Sequence, residues 1–108
     1  NYNGHDNRRV DMVMGIAYGD DIGRAIEAIG DVLEAEERVL DDPAPQIAVS
    51  ELADSSVNLV VRPWCRAEDY WDVKFDLTRK CKEALEDAGC SIPFPQHDVN
   101  LITQIANA

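Results

Sequence analysis

The sequence predicts an α+β domain with the element order strand, helix, strand, strand, helix, strand. Three observations carry this expectation: an alternating run near the start, two apolar stripes at helical spacing, and a pair of β-branched runs between them. From Arg9 to Tyr18 the chain places Val10, Met12, Met14, Ile16 and Tyr18 on one face and Asp11, Val13, Gly15 and Ala17 on the other. One strand is expected over this run, with a second face too apolar for simple exposure to water.

The following "GDDI" offers Asp20 or Asp21 as a helix N-cap, with acids at the positive end of the helix dipole. Ile22, Ile26, Ile29 and Leu33, with Ala25 and Val32 beside them, form a helical stripe, and this first helix is expected to run to about Glu36 or beyond. Pro43 and Pro45 in "LDDPAPQ" end any helical continuation and set extended backbone. "QIAVSEL" and "SVNLVVRPW" then read as a hairpin joined by the turn-like "ADSS". Pro63 has no backbone donor, so the second strand ends at an edge or leaves the ladder there.

A second helix begins around Glu68 and Asp69 and carries Lys80 and Lys82 toward its C-terminus. Tyr70, Val73, Leu77, Cys81, Ala84, Leu85 and Ala88 make its core stripe, while Trp71 and Phe75 lie to one side. The pattern favours a wide core face that takes in both aromatics, with a subunit contact as the other reading. Gly89 is placed to be a left-handed C′ residue. Beyond it, "GCSIPFPQHDVN" stiffens the chain: Pro93 and Pro95 fix φ and push Ile92 and Phe94 toward extended geometry, so a short rigid arm delivers a last strand, "DVNLI". The whole order is the split βαβ arrangement called ferredoxin-like, with two helices on one face of a mainly antiparallel sheet. That architecture hosts many functions and by itself decides none.

Composition narrows the classes. At 108 residues, 45% of them hydrophobic, the chain is one domain with a modest core, and no apolar run approaches the roughly 20 residues of a membrane span. Its opening "NYNGHD" has neither an initiator methionine nor a signal-peptide pattern, so it reads as a domain cut from a longer chain. Twenty-one acids against ten bases give a net charge of −11, which repels phosphate backbones and anionic lipid surfaces and argues against nucleic-acid binding. Cys65, Cys81 and Cys90 cannot all pair within one chain and show no C-x-x-C spacing, and His5 and His97 stand far apart, so no metal or other cofactor is expected. A reducing cytoplasm is the simpler context, with Cys81 as a small core residue.

Residue chemistry removes several occupants of this fold. A copper-carrying module needs paired thiolates after the first strand, where this chain has "YGDDI". An RNA-recognition module needs aromatics on its central strands and a basic surface, and an acylphosphatase-like enzyme needs a cationic cradle. Catalysis finds no support either: "EAEERVLDD" reads as a solvated helix end, and His97 and Asp98 would point to opposite faces of a strand. A small-molecule-binding regulatory domain of ferredoxin-like type is the alternative, with Gly19 and Gly23 in the loop such modules use.

The run "ELADSSVNLVVRPW", followed by "DYWDVKFDLTRKCKEALEDAGCSIPFPQHDVN", resembles the C-terminal cytoplasmic domain of the small-conductance mechanosensitive channel (MscS) family. "GIAYGDDI" and "ERVLDDPAP" extend the likeness over nearly the whole chain. Its most specific pieces are the E-L-x-x-S-S-x-N hairpin and the I-P-F-P-Q-x-D-V-N ending. The resemblance implies a channel of the cell membrane, opened by bilayer tension, that releases ions and small solutes on osmotic downshock. It implies seven copies forming a hollow cytoplasmic cage with side portals, attached to the membrane only through upstream helices. It also implies that the arm with Pro93 and Pro95 directs residues 97–108 into a β-barrel shared by the subunits. Glu51 matches the family's portal-facing hairpin glutamate, Trp64 its tryptophan after the hairpin strand, and Trp71 and Phe75 stand where a second tryptophan is expected. These three aromatics are the candidate subunit contacts.

Overall fold

The alternating first run builds sheet, although not as one strand. A computed structural model describes residues 6–92 and divides that run into β1 (Asn7–Arg9) and β2 (Met12–Ile16). The later run divides at the same level, into β4 (Val57–Arg62) and β5 (Trp64–Arg66), with β3 (Gln46–Leu52) before them. Pro63 is the physical cause: it offers no N–H, so the ladder cannot continue through it, and it leaves the sheet as expected. The chain turns a corner there, where the Val10 amide donates to the Pro63 carbonyl at 2.8 Å. On one side β1 pairs antiparallel with β5; on the other β2, β4 and β3 form an antiparallel sheet in that order. The expected single strand over residues 9–18 is thus two, and Tyr18 lies in the turn beyond, exposed to solvent.

Met12, Met14 and Ile16 face the core in register with Val61, Leu59 and Val57, so three alternate rungs present one apolar face. Both helices lie on that face and share its core: Ala25, Ile29 and Leu33 from α1 (Ile22–Ala35), and Val73, Leu77, Cys81 and Leu85 from α2 (Tyr70–Asp87). Burying each of Ile29, Leu77 and Leu85 contributes about 2 kcal/mol. The opposite face is less covered, with Val13 exposed to solvent despite the apolar character that argued for burial.

Asp21, not Asp20, caps α1: its backbone is extended and its carboxylate accepts the Arg24 amide at 3.1 Å. The helix stops at Ala35, where Glu36 turns extended and its amide bonds back to Leu33. A short 3₁₀ turn (Ala67–Asp69) leads into α2, which ends in a Schellman motif. There the Cys90 amide reaches the Leu85 carbonyl at 2.9 Å, the Gly89 amide reaches that of Glu86 at 3.0 Å, and Gly89 takes φ +88°. The arm with Pro93 and Pro95 and the terminal strand expected over 97–108 lie outside the described residues, as do His5, His97 and Asp98.

The wide core face expected of α2 does not form. Trp71 is 58% exposed and Phe75 62% exposed, one turn apart on the flank of the buried stripe. The sheet covers only the stripe of Tyr70, Val73, Leu77, Cys81 and Leu85, and side chains a quarter-turn away fall beyond its reach.

Candidate functional site

The hairpin of β3 and β4 carries the E-L-x-x-S-S-x-N motif, and its geometry depends on one irregularity. Val49 pairs with Leu59, but the next paired residue is Glu51, opposite Asn58, so Ser50 is an extra residue in the strand. Without this bulge, alternation would turn Glu51 to the helix-covered face. With it, Glu51 joins a rung that crosses all three strands, Gly15–Asn58–Glu51, on the face away from the helices.

Hydrogen bonds hold the rung together. The Ser56 hydroxyl donates to Asn58 Oδ1 at 2.7 Å, which turns the amide so that Nδ2 donates to Glu51 Oε1 at 3.2 Å. Gly15 keeps the space open, because a Cβ there would sit 3.3 Å from Asn58 Oδ1 and 3.4 Å from Ser56 Oγ. At the hairpin's end the Ala53 amide donates to the Ser56 carbonyl at 2.9 Å, and Tyr18 donates its hydroxyl to the Ala53 carbonyl from the β2–α1 turn. The motif therefore encodes a carboxylate that is exposed to water yet held by a neighbour. Such a group has no buried base or metal partner beside it and acts as a fixed negative charge. Among the described residues no group of three His, Cys, Asp or Glu side chains is arranged to hold a metal ion.

The aromatic candidates separate. Trp71 meets Tyr70 edge to face at 5.0 Å and Phe75 at 5.8 Å, and the Lys74 ammonium lies 5.5 Å from the Trp71 ring. This makes an exposed apolar ridge with a cationic neighbour. Trp64 is half-buried in β5, paired with Arg9 across the short ribbon, and its carbonyl accepts the Leu40 amide at 2.8 Å. It takes no part in the Tyr70–Trp71–Phe75 ring contacts.

Gly23 has a local role: a Cβ there would come within 3.3 Å of the capping Asp21 Oδ1. Cys65, Cys81 and Cys90 are free and buried, and burial pushes the Cys81 thiol up to about 11.

The segment read as a solvated helix end contains a buried ion-pair centre. The Glu36 side chain is only 8% exposed, and Arg38 grips it with two bonds, Nε to Oε2 at 2.8 Å and Nη2 to Oε1 at 3.0 Å. Arg38 Nη2 also reaches Asp76 of α2 at 2.8 Å, and Lys80 stands 3.6 Å from Glu36. The Arg38 hydrogen bond holds the Glu36 carboxyl down at about 2 against the opposing effect of burial. The spacing E-x-R was in the sequence; Asp76, 38 positions from Arg38, and Lys80, further along the same helix, could not be assigned to it without the helix packing.

Comparison with known proteins agrees with these features. The profile of the family described as "Mechanosensitive ion channel MscS, C-terminal" matches residues 10–92. An uncharacterized MscS family protein of Synechocystis is 45% identical over 102 residues, which is 94% of this chain and 34% of that protein. A small-conductance mechanosensitive channel of Edwardsiella ictaluri is 43% identical over 101 residues, 94% of this chain and 35% of that one. The crystal structure of Helicobacter pylori MscS in its closed state superposes with a TM-score of 0.79 at 30% identity, covering 87% of this chain and 38% of that chain. The fold alone is shared with Arabidopsis thaliana MSL1, at TM-score 0.72 and 16% identity. The chain thus spans about a third of the length of the relatives it matches. The hairpin motif, the α+β sheet with its two helices and the family match over residues 10–92 converge on one conclusion: this chain belongs to the MscS family of mechanosensitive ion channels, whose C-terminal domain it contains.

Proposed function

We propose that the chain serves as the cytoplasmic cage domain of a tension-gated channel in the cell membrane, one that passes ions and small solutes on osmotic downshock. No helix among the described residues is long and apolar enough to cross a membrane, so in this reading tension acts on segments other than these. The domain's part is to enclose the vestibule, in seven copies, and to filter what enters through its side portals. The observation that carries the reading is Glu51: a bulge directs it to the uncovered sheet face and Asn58 holds it there, at a position matching the family's portal-facing glutamate.

A ring of such carboxylates in an aqueous opening repels anions and concentrates cations over about 8 Å at physiological salt. The exposed Trp71–Phe75 ridge supplies apolar area for contacts between copies, and Trp64 a half-buried third candidate. Pro93 and Pro95 would aim residues 97–108 toward the symmetry axis. The local start of that path supports this: among the described residues β2 pairs only with β4, and Ala17 beyond its end donates to the Ser91 carbonyl at 3.0 Å.

The test is Glu51→Lys in the parent channel, recorded in a salt gradient. The reversal potential should move toward greater anion preference while the tension threshold stays in place. An unmoved reversal potential removes Glu51 from the portal.

A further inference from the structure

Two aspartates stand side by side in "GDDI", and only the second caps the helix. Asp20 is occupied elsewhere. Its Oδ2 accepts the Ala17 amide at 2.9 Å and the Ser91 amide at 2.8 Å, the latter across 71 positions of sequence. The Ala17 amide is shared with the Ser91 carbonyl at 3.0 Å, and the Asp20 amide returns to the Ala17 carbonyl at 3.0 Å. One carboxylate therefore binds the turn after β2 to the chain two residues past Gly89, where the Schellman motif has ended α2.

The arrangement is suited to setting direction. Backbone at Ser91 is free of the helix and would otherwise have only Ala17 to hold it on this side. An ionised acceptor with two short N–H partners makes charge-assisted bonds, which are stronger than neutral ones and restrict the donor's orientation. Proline restricts backbone torsions within residues 92–95, but it cannot fix how that stretch leaves the domain.

We propose that Asp20 is the positioning residue that fixes the departure of the C-terminal segment from the domain, clamping Ser91 to the β2–α1 turn. The consequence for assembly rests on the reading that residues 97–108 converge between copies; the clamp itself does not. Asp20 touches no permeating ion in this role and acts through Ser91.

The experiment uses the full channel in membranes, with Gln104→Cys alone and with Gln104→Cys combined with Asp20→Ala or with Asp20→Asn. Hydrogen exchange at Ser91 reads the clamp, and oxidative cross-linking between copies at position 104 reads convergence. Asp20→Ala should speed Ser91 exchange about tenfold or more and lower the cross-link yield, with exchange in α2 unchanged. Asp20→Asn, which keeps an uncharged acceptor, should fall between. Unchanged Ser91 exchange in Asp20→Ala overturns the clamp. Faster exchange with full cross-linking overturns its role in direction. Absence of cross-links when Asp20 is intact overturns instead the convergence of residues 97–108, and leaves the exchange result to judge the clamp alone.

Discussion

Replacing Glu36 with glutamine should destabilise the domain at neutral pH and make no difference near pH 2. The carboxyl falls from 4.5 to about 2 on folding, chiefly through the Arg38 hydrogen bond. At about 1.4 kcal/mol per pK unit the full shift corresponds to about 3 kcal/mol. Arg38 is 32% exposed, so solvent screens part of this, and a realised contribution of about 1–2 kcal/mol is the sounder figure. The sign follows from the depressed pKa: the stabilisation is complete above the unfolded value and is lost as pH falls through 4.5 toward 2. Glutamine keeps the shape and one acceptor but cannot titrate. Urea unfolding followed by circular dichroism at pH 7 and at acid pH gives both comparisons, and at pH 7 the thermal midpoint should drop by about 4–16 °C. A loss below about 0.5 kcal/mol at pH 7, or a gap that persists unchanged at pH 2, would refute the reasoning.

Three further outcomes are expected. Gly89→Ala should cost about 1 kcal/mol through its left-handed φ of +88° alone, since an added Cβ meets nothing within 4 Å; urea titration checks this, and Gly89→Asn should cost less. Cys81 should resist thiol reagents at pH 7 to 8, because it is buried and its thiol titrates at about 11; rapid labelling of the folded protein would contradict that packing. Trp71→Ser with Phe75→Ser should leave unfolding within about 0.5 kcal/mol per site while weakening association between copies of the parent protein; a large stability loss with intact assembly would show that the ridge belongs to the core.

How much of this could be read from the sequence depends on the range of the forces involved. Alternation and helical stripes depend on a residue's own neighbours, so the buried sides of β2 and α2 were legible, as were the hairpin, Gly89 and the exit at Pro63, while the α1 stripe holds at Ala25, Ile29 and Leu33 but not near its start, where Ile22 is exposed and Ile26 half-buried. The break at Val10 and Asp11 was not, because its cause lies about 50 positions away in Pro63, and the run itself alternates without a flaw. For Trp71 and Phe75 the helical pattern favours a wide core over a subunit contact, since hydrophobicity alone cannot tell how far a three-stranded sheet reaches; both are exposed. At the candidate site, Glu51 was identified by its motif, but its direction was hidden: the bulge at Ser50 reverses the parity that spacing would give. The split between Asp20 and Asp21 was likewise invisible, as either is a sound N-cap until Ser91 arrives from the far end of the chain.

The corner between β1 and β2 also determines how the domain responds to a pull. Any force arriving through residues before Asn7 enters the β1–β5 ribbon first and must turn to reach the larger sheet. Soft corners absorb such loads by folding further. This one is filled: Val10, Pro63 and Cys65 are fully buried at it, and the Val10 amide pins the Pro63 carbonyl across the bend. Close-packed interiors are barely compressible, so the bend behaves as a braced bracket and not as a spring. The expected consequence is that a displacement of the ribbon turns the larger sheet, with the hairpin and Glu51, more readily than it opens the bend.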